Sequence, residues 1–259
     1  MKAYLIAAPS MTDGMERFLA ARSLAWVNDD MAGDSERLVE AAGRVCYMSF
    51  GSRQFRTSNR AYIMNLIRQA HDSVLEHANF TLLADGLSRS LTHQLVRHRI
   101  GFSYSQLSQQ YHDESDIEFV EPLGLSQRPT SQRRWTEFMS QCRSLYRELI
   151  TDLEKEFVAS ALADKERTRL IRSIARSVLP SAANTTLVVT GNARAWRHLL
   201  SVRGSVPGDL EMRRYCISVF EVLSSAAPNL FADFELADDA FGGMIQRRSG
   251  ESSIGPAQP

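Results

Sequence analysis

The sequence predicts an α+β fold, namely a single helix-rich domain with a small, mostly antiparallel sheet. Apolar residues recur at the helical spacing of about 3.6 residues in seven segments: 34–47, 59–70, 88–99, 131–158, 165–178, 192–202 and 210–224. Strand character is confined to three short segments, at the N-terminus, around Phe80 and at 184–191. Helices and strands also alternate too irregularly for a doubly wound parallel sheet.

The chain opens with a predicted strand and two helices. Residues MKAYLIAAPS favour a first strand, because Asp13 and Glu16 follow too soon after the short apolar run for a signal peptide. Asp34 can cap a helix that extends to about residue 47. The apolar face of this helix is formed by Leu38, Val39, Ala42, Val45 and Cys46. The helix at 59–70 presents Tyr62, Ile63, Leu66 and Ile67 on one face.

The middle of the chain combines a short strand with two helices. Phe80 and Leu82 alternate with polar neighbours, which is typical of a strand. From 88 to 99 the period is helical, with one face shared by Leu91, Gln94, Leu95 and His98. The longest helix, 131–158, has an apolar stripe formed by Trp135, Phe138, Met139, Cys142, Leu145, Tyr146, Leu149 and Leu153.

The C-terminal part contains three helices and one strand. The helix at 165–178 stops before Pro180, which cannot continue it. NTTLVVTG, at 184–191, is rich in β-branched residues and runs directly into the helix at 192–202. No linker rich in Gly, Ser and Pro interrupts 1–235, which predicts one domain. The composition of the end of the chain predicts a disordered tail over 236–259.

Composition limits the class of protein. The 259 residues carry 30 basic and 30 acidic side chains, which argues against bulk binding to nucleic acid or to an anionic membrane. No apolar run is long enough for a membrane helix. Three widely spaced cysteines lack metal-ligand spacing and suit a reducing cytoplasm. Because only three of the 30 basic residues are lysines, 27 are arginines. This excess indicates either genomic codon bias or planar recognition of phosphate and carboxylate.

The densest polar stretch runs from 97 to 115 and opens with Arg97, His98 and Arg99, which cannot all point to one side of a helix. One interpretation is a solvated helix end, where basic residues complement the macrodipole. The other is a binding site, because the hydroxyl and amide side chains that follow offer donors suited to a phosphate ester and a nucleobase. Further cationic or donor residues are Arg176, Asn192, Arg194, His198 and Arg203.

Six histidines leave a metal-dependent hydrolase as a competing class. His71 and His77 do not have the spacing of the His-Glu-x-x-His zinc motif, which favours two polar residues at a helix–strand junction. The sequence contains neither the Rossmann pattern G-x-G-x-x-G, nor the P-loop pattern G-x-x-x-x-G-K, nor the G-x-S-x-G elbow of serine hydrolases.

Several of these segments resemble, in order, the flavin-dependent thymidylate synthases. The signature of that family is Arg-His-Arg, a short spacer, Ser, and further on Ser-x-Arg-Tyr. Here Arg97–Arg99 is followed by SYSQLSQQY at 103–111. The similarity extends from AGRVCYMSF through SNRAYIMNLIRQAHDSVLEHANFTLL and ARSVLP to TGNARAWRHLL, and covers the chain up to about residue 225.

The resemblance implies an α+β unit that assembles as a homotetramer, with active sites at subunit interfaces around FAD. It implies methylation of carbon 5 of deoxyuridine monophosphate (dUMP), with methylenetetrahydrofolate supplying the carbon and NADPH reducing the flavin. The positions that match FAD-binding residues are His71, Ser73, Arg97, His98, Arg99, Gln106, Asn192, Arg194 and His198. Those that match nucleotide-binding residues are Gln94, Arg97, Gln106, Ser108, Gln109, Gln110, Arg176 and Arg203. Arg203 has the catalytic role, as a cation facing the charge that develops on uracil. The family needs no cysteine nucleophile, and all three cysteines lie on predicted apolar helix faces.

Two features depart from the family pattern. The spacer Ile100-Gly101-Phe102 is one residue longer than the usual two, and Gln110 stands where the signature has arginine. Loss of a charge-assisted contact is expected to cost about 1.5–3 kcal/mol of binding free energy. We therefore expect a related substrate, the ribonucleotide UMP of a specialised nucleoside pathway such as antibiotic biosynthesis. The alternative is a homologue that has lost catalysis and binds nucleotide or flavin.

Overall fold

The computed structural model describes residues 1–29, 31–240 and 242–248. The strands in these residues are β1 (Lys2–Ala7), β2 (Asn79–Ser88), β3 (Phe102–Gln106), β4 (Asn184–Asn192), β5 (Phe234–Ala237) and β6 (Met244–Arg247). The helices are α1 (Gly14–Ala21), α2 (Asp34–Tyr47), α3 (Asn59–Arg68), α4 (Arg89–Leu95), α5 (Pro129–Glu156), α6 (Asp164–Ala175), α7 (Ala193–Arg203) and α8 (Leu210–Ala226). The first four strands form a sheet in the order β1-β2-β4-β3, and β5 pairs antiparallel with β6. The prediction of a helix-rich α+β fold with a small antiparallel sheet is confirmed.

The described residues form two compact units, each assembled from separate segments of the sequence. The first unit contains 1–84, 98–104 and the residues from Val188 onward, and the second contains 85–97 and 105–187. The sequence passes from one unit to the other four times, and no stretch rich in Gly, Ser and Pro marks these positions. The prediction of one domain depends on the absence of such a linker. That absence therefore says nothing about the division into two units.

The strand β4 leads directly into α7. Side chains along β4 alternate between buried and half-buried, as predicted for a strand with one covered face. Asn192 ends the strand and caps the helix, since its side chain accepts a hydrogen bond from the Ala195 amide at 2.8 Å. Trp196, on α7, is fully buried and donates to the Phe80 carbonyl oxygen at 3.4 Å. The N-terminal end of α7 is thus fixed against β2.

The helix α2 buries a face that coincides only in part with the predicted one, since Val39 is fully buried but Val45 and Cys46 are not. Val45 is 43% exposed and Cys46 is exposed, whereas Glu40 and Arg44 are each only 1% exposed. Arg44 Nε donates to Glu40 Oε1 at 2.7 Å, and the Arg44 guanidinium lies over the Tyr62 ring. The prediction was wrong for Val45 and Cys46 because buried charges that are paired and hydrogen-bonded can replace apolar residues on the core face of a helix. Asp34 is also the first residue of this helix and not its cap.

In the second unit, α5 and α6 bury fewer of their apolar side chains than the predicted stripes indicate. Met139, Cys142 and Tyr146 are buried, but Phe138 is 56% exposed and Leu145 is 43% exposed. The helix α6 ends at Ala175 and continues as a short 3-10 turn before Pro180, which agrees with the predicted stop.

Two further predictions need correction. The predicted helix at 88–99 ends at Leu95, and β3 follows within the stretch that the sequence indicates only as polar. The predicted disordered tail over 236–259 includes the end of β5 and all of β6, so the tail prediction is wrong for this hairpin, whose register pairs Ala237 with Met244. Its apolar side chain Ile245 is buried, which a composition rich in Gly and Ser does not reveal. Phe241 and residues 249–259 lie outside the described residues.

Among the helices of the described residues, none is both long enough and apolar enough to cross a membrane.

Candidate active site

The Arg-His-Arg segment lies in the turn that follows α4. The Val96 and Arg97 amides close the end of the helix on the Thr92 and Gln94 carbonyl oxygens. Arg97 and Arg99 are exposed, whereas His98 is half-buried. The segment therefore combines a solvated helix end, at Arg97, with an inward-facing histidine.

In the first unit, His98 meets Arg203 at the C-terminal end of α7. Arg203 Nε donates a hydrogen bond to His98 Nε2 at 3.2 Å. Burial lowers the pKa of His98, and the positive charge of Arg203 and the neighbouring His198 lower it further. His98 Nε2 accepts a hydrogen bond and its charged form is disfavoured, so the imidazole is neutral and carries its proton on Nδ1. The ring of His198 lies edge-on to that of His98, with 6.3 Å between the centroids.

The backbone of His98 is held by a second aromatic residue. Tyr104 donates its hydroxyl hydrogen to the His98 carbonyl oxygen at 2.6 Å. Burial raises the pKa of Tyr104 well above its ordinary value, so this hydroxyl keeps its proton. Both the ring and the carbonyl group of His98 are thereby oriented.

The spacer after Arg99 packs against the start of α7. Gly101 has a φ of +76°, and a Cβ at this position would lie 2.7 Å from Asn192 Nδ2 and 2.9 Å from Ala195 Cβ. Its carbonyl oxygen accepts the Asn192 amide hydrogen at 3.2 Å. Ile100, by contrast, is 94% exposed. The additional spacer residue thus allows a tight turn in which only glycine fits without strain.

Other predicted cofactor residues lie near the same end of α7. Arg194 pairs with Glu76 at 2.6 Å, and both side chains are about half exposed. Glu76 belongs to the 3-10 helix at 72–77, which begins directly after His71 and contains Ser73. His71 and Ser73 are both exposed. These residues form an open surface with several donors.

In the second unit, the polar residues that follow β3 form a compact turn. Gln106 Nε2 donates to Thr92 Oγ1 at 2.9 Å, which fixes this amide against α4, the helix on which Gln94 is half-buried. The Ser108 hydroxyl accepts the Gln110 amide hydrogen at 3.3 Å. Gln109 Nε2 is buried and has no hydrogen-bond partner among the described residues. A buried donor without a partner costs about 1–3 kcal/mol, which a ligand can recover.

Arg89, which was not among the predicted site residues, contacts the turn that follows β3. Its Nη2 donates to the Leu107 carbonyl oxygen at 2.7 Å, while its Nε is buried without a partner in the part of the chain that is described. Burial lowers the pKa of Arg89, and the charge of Arg176 acts in the same direction, whereas Glu114 opposes it. Two neighbouring guanidinium groups with an unused donor suit a phosphate group. The signal in the sequence is the position of Arg89 five residues before Gln94 at the start of the same helix.

The two buried cysteines provide no activated nucleophile. Cys46 is exposed, contrary to the prediction of an apolar helix face, while Cys142 and Cys216 are buried. Burial raises the pKa of Cys142, and it raises that of Cys216 to about 12 despite the opposing charge of Arg203. The two buried thiols are therefore protonated at neutral pH. Across 1–29, 31–240 and 242–248, no group of three or more His, Cys, Asp or Glu residues is arranged to hold a metal ion.

Comparison with known proteins assigns the family. Residues 29–229 match the family model described as thymidylate synthase complementing protein. A flavin-dependent thymidylate synthase of Mycobacterium avium (strain 104) is 44% identical over 226 residues, which is 87% of this chain and 89% of that protein. The chain belongs to the flavin-dependent thymidylate synthase family. A family member from Mycolicibacterium vanbaalenii is 44% identical over 85% of this chain and 86% of its own length. One from Mycobacterium tuberculosis (strain ATCC 25618 / H37Rv) is 42% identical over 87% and 89%.

Family membership gives a context to the two groups of residues. The first unit contains the group around His98, His198 and Arg203, and the second contains the group around Ser108 and Arg89. The Arg-His-Arg segment of the flavin-dependent thymidylate synthase signature spans both groups in the sequence, since Arg97 belongs to the second unit and His98 to the first.

Proposed function

We propose that this protein catalyses the FAD-dependent reductive methylation of carbon 5 of a uridine monophosphate nucleotide. Methylenetetrahydrofolate supplies the one-carbon unit and NADPH supplies the electrons. The observation that carries the proposal is the hydrogen bond between Arg203 and a neutral His98 in a chain related to flavin-dependent thymidylate synthases. This hydrogen bond fixes the orientation of the Arg203 guanidinium and leaves its terminal nitrogens available to the substrate.

The donors of the first unit fit FAD. The exposed guanidinium groups of Arg99 and Arg194 favour the oxygens of a diphosphate. The imidazoles of His98 and His198 suit the polar edge of a flavin ring. We assign FAD binding to His71, Ser73, His98, Arg99, Asn192, Arg194 and His198 of this unit. The family resemblance alone adds Arg97 and Gln106 to the assignment. When bound, FAD accepts electrons from NADPH and makes them available to the methylation reaction.

The donors of the second unit fit a nucleotide monophosphate. Arg89 and Arg176 offer guanidinium groups to the phosphate, and the unpartnered Gln109 amide offers a further donor. Gln106 contacts Thr92 through its side-chain nitrogen, so its side-chain oxygen can accept a hydrogen bond from a ligand. We assign nucleotide binding to Arg89, Gln94, Arg97, Gln106, Ser108, Gln109, Gln110 and Arg176 of this unit. The family resemblance alone adds Arg203 to the assignment.

Arg203 is the proposed catalytic residue. Carbon 5 of uracil becomes nucleophilic when negative charge on N3 and the carbonyl oxygens is stabilised, and a preorganised guanidinium provides this stabilisation. The hydrogen bond to His98 uses only Nε, so the terminal nitrogens of Arg203 can face the uracil. Because His98 is neutral, it orients the guanidinium without neutralising its charge.

We propose that UMP is the preferred substrate. Gln110 stands where the family signature has arginine, and its side chain both donates and accepts hydrogen bonds, whereas arginine only donates. The 2′-hydroxyl of a ribonucleotide can donate to such an acceptor, and dUMP lacks this group. UMP methylation fits a specialised nucleoside pathway of the kind found in antibiotic biosynthesis.

Exposed apolar residues in the second unit support a homotetramer with active sites at subunit interfaces. Phe138 and Leu145 on α5 and Leu170 and Ile174 on α6 are exposed within the described chain. Light scattering of the purified protein should give four times the mass of one chain. The three cysteines are free, which supports a reducing, cytoplasmic location.

Turnover with UMP and dUMP, each with FAD, NADPH and methylenetetrahydrofolate, tests the function. Mass analysis should detect a gain of one CH2 unit, with kcat/KM at least about tenfold higher for UMP, which corresponds to about 1.4 kcal/mol. Arg203→Gln should abolish product, whereas Arg133→Gln, at an exposed position of α5, should not. A preference for dUMP would refute the assignment of UMP. Bound FAD without product from either nucleotide would favour the homologue that has lost catalysis.

A further inference from the structure

The hairpin β5–β6 is fastened to the first unit by charged side chains. Asp233, immediately before β5, is fully buried and accepts two hydrogen bonds from Arg197 of α7, at 2.6 and 2.7 Å. It also accepts one from Arg247 of β6, at 3.0 Å. Arg213 of α8 donates to Asp239 and, at 2.6 Å, to the Gly243 carbonyl oxygen between the two strands. The hairpin is thus held by both α7 and α8.

One contact reaches the end of α7 directly after the catalytic arginine. The Ile245 amide donates to the Gly204 carbonyl oxygen at 2.9 Å. A Cβ on Gly204 would clash with the Leu200 carbonyl oxygen of α7, and it would lie 2.7 Å from the Ile245 carbonyl oxygen and 2.8 Å from Ile245 Cβ. Gly204 has a φ of −61° and a ψ of −28°, which any residue adopts. Glycine at this position therefore leaves space for both the last turn of α7 and β6, and its backbone conformation is an ordinary one.

Gly204, which accepts the Ile245 hydrogen bond, directly follows Arg203, the residue that pairs with His98. Arg203 is half-buried at the last residue of α7, where helix ends ordinarily fray. The hydrogen bond from Ile245 fixes the next residue, so the backbone that carries Arg203 cannot move independently of β6. A displacement of about 1 Å in a catalytic group can reduce turnover by about 100-fold.

We propose that the hairpin β5–β6 is a positioning element, which acts through Gly204 to hold the Arg203 guanidinium against His98. This inference rests on the proposed function for the role of Arg203 in turnover. The coupling between the hairpin and His98 can nevertheless be measured without any turnover, because the charge of Arg203 is one cause of the lowered pKa of His98.

The direct test is Gly204→Ala, with Gly14→Ala as the matched control. A Cβ on Gly14, the first residue of α1, meets only Thr12 Oγ1, at 3.5 Å. In Gly204→Ala, kcat should fall about 10- to 100-fold, while the Kd for FAD should change less than about threefold. NMR titration of the histidine rings should show the pKa of His98 rising toward its ordinary value, because Arg203 moves away. Gly14→Ala should match the parent protein in all three measurements.

A double variant separates positioning from a general structural effect. Arg203→Gln should raise the pKa of His98 by itself, and Arg203→Gln with Gly204→Ala should raise it no further. If Gly204→Ala lowers kcat without moving the pKa of His98, or moves it equally when Arg203 is absent, the proposal is wrong. Because Gly204→Ala also crowds the Leu200 carbonyl oxygen, Arg247→Gln decides whether the hairpin itself is responsible: it loosens β6 while Arg197 still pairs with Asp233. The proposal requires Arg247→Gln to raise the pKa of His98 as well, by a smaller amount, and an unchanged pKa in this variant would refute it. Failure of the parent protein to methylate either nucleotide would refute the proposed function, and the titration would still decide the role of the hairpin.

Discussion

Replacement of Gly101 by alanine tests the tight turn in the extended spacer. Alanine at the φ of +76° costs about 1–2 kcal/mol, because the left-handed backbone conformation crowds its Cβ. The same Cβ would lie 2.7 Å from Asn192 Nδ2, so it should also disturb the cap of α7, which is worth about 1 kcal/mol. Together these effects predict a loss of about 2–3 kcal/mol in the free energy of unfolding.

The assay is urea denaturation, with Gly208→Ala as the matched control. Gly208 has a φ of +78°, but a Cβ there would have no neighbour within 4 Å, so this variant should lose only the backbone contribution. FAD titration of Gly101→Ala should show a Kd raised about fivefold, which corresponds to about 1 kcal/mol at the cap. If Gly101→Ala is no less stable than Gly208→Ala and binds FAD normally, the spacer does not support the start of α7.

Three further predictions concern charged groups. Asp233→Ala should lose about 3–5 kcal/mol in thermal unfolding, because it leaves the buried Arg197 guanidinium without its partner. Arg89→Ala should raise the Kd for nucleotide about 10- to 100-fold in calorimetry, by removing a charge-assisted contact, whereas the exposed Arg133→Ala should not. Since the pKa of His98 is lowered in the folded state from about 6.5, the unfolded state binds more protons below that pH. Stability should therefore decrease as the pH falls from 6.5 through the folded pKa, and His98→Asn should reduce this dependence.

Each of these predictions has a result that would contradict it. A change below about 0.5 kcal/mol for Asp233→Ala would show that this pair does not fasten the hairpin. Equal nucleotide affinity in Arg89→Ala and the parent protein would remove Arg89 from the phosphate site. An unchanged pH profile in His98→Asn would mean that other groups dominate acid unfolding.

The elements with strong local patterns could be predicted from the sequence. The helices α3, α5, α7 and α8 and the strand β4 lie close to their predicted positions, because amphipathic spacing and β-branched composition act within a few residues. The strand β6 and the helix α1 were missed, since elements of only four and eight residues are too short for a periodic pattern to repeat. The buried face of α2 was predicted only in part, because Glu40 and Arg44 are buried through additional hydrogen bonds to Asn59 and to the Arg56 carbonyl oxygen, which the sequence of the helix does not show.

The sequence by itself determined the family, the α+β class and the segments that contain the site residues, since these depend on residue types in a fixed order. Only the tertiary structure decided that Arg203 meets His98, that Arg89 has an unused donor and that the hairpin β5–β6 contacts Gly204. His98 and Arg203 are 105 positions apart, and no local propensity specifies such a pair. Contacts of this kind arise when packed elements bring distant polar groups together, because buried donors and acceptors are stable only with a partner.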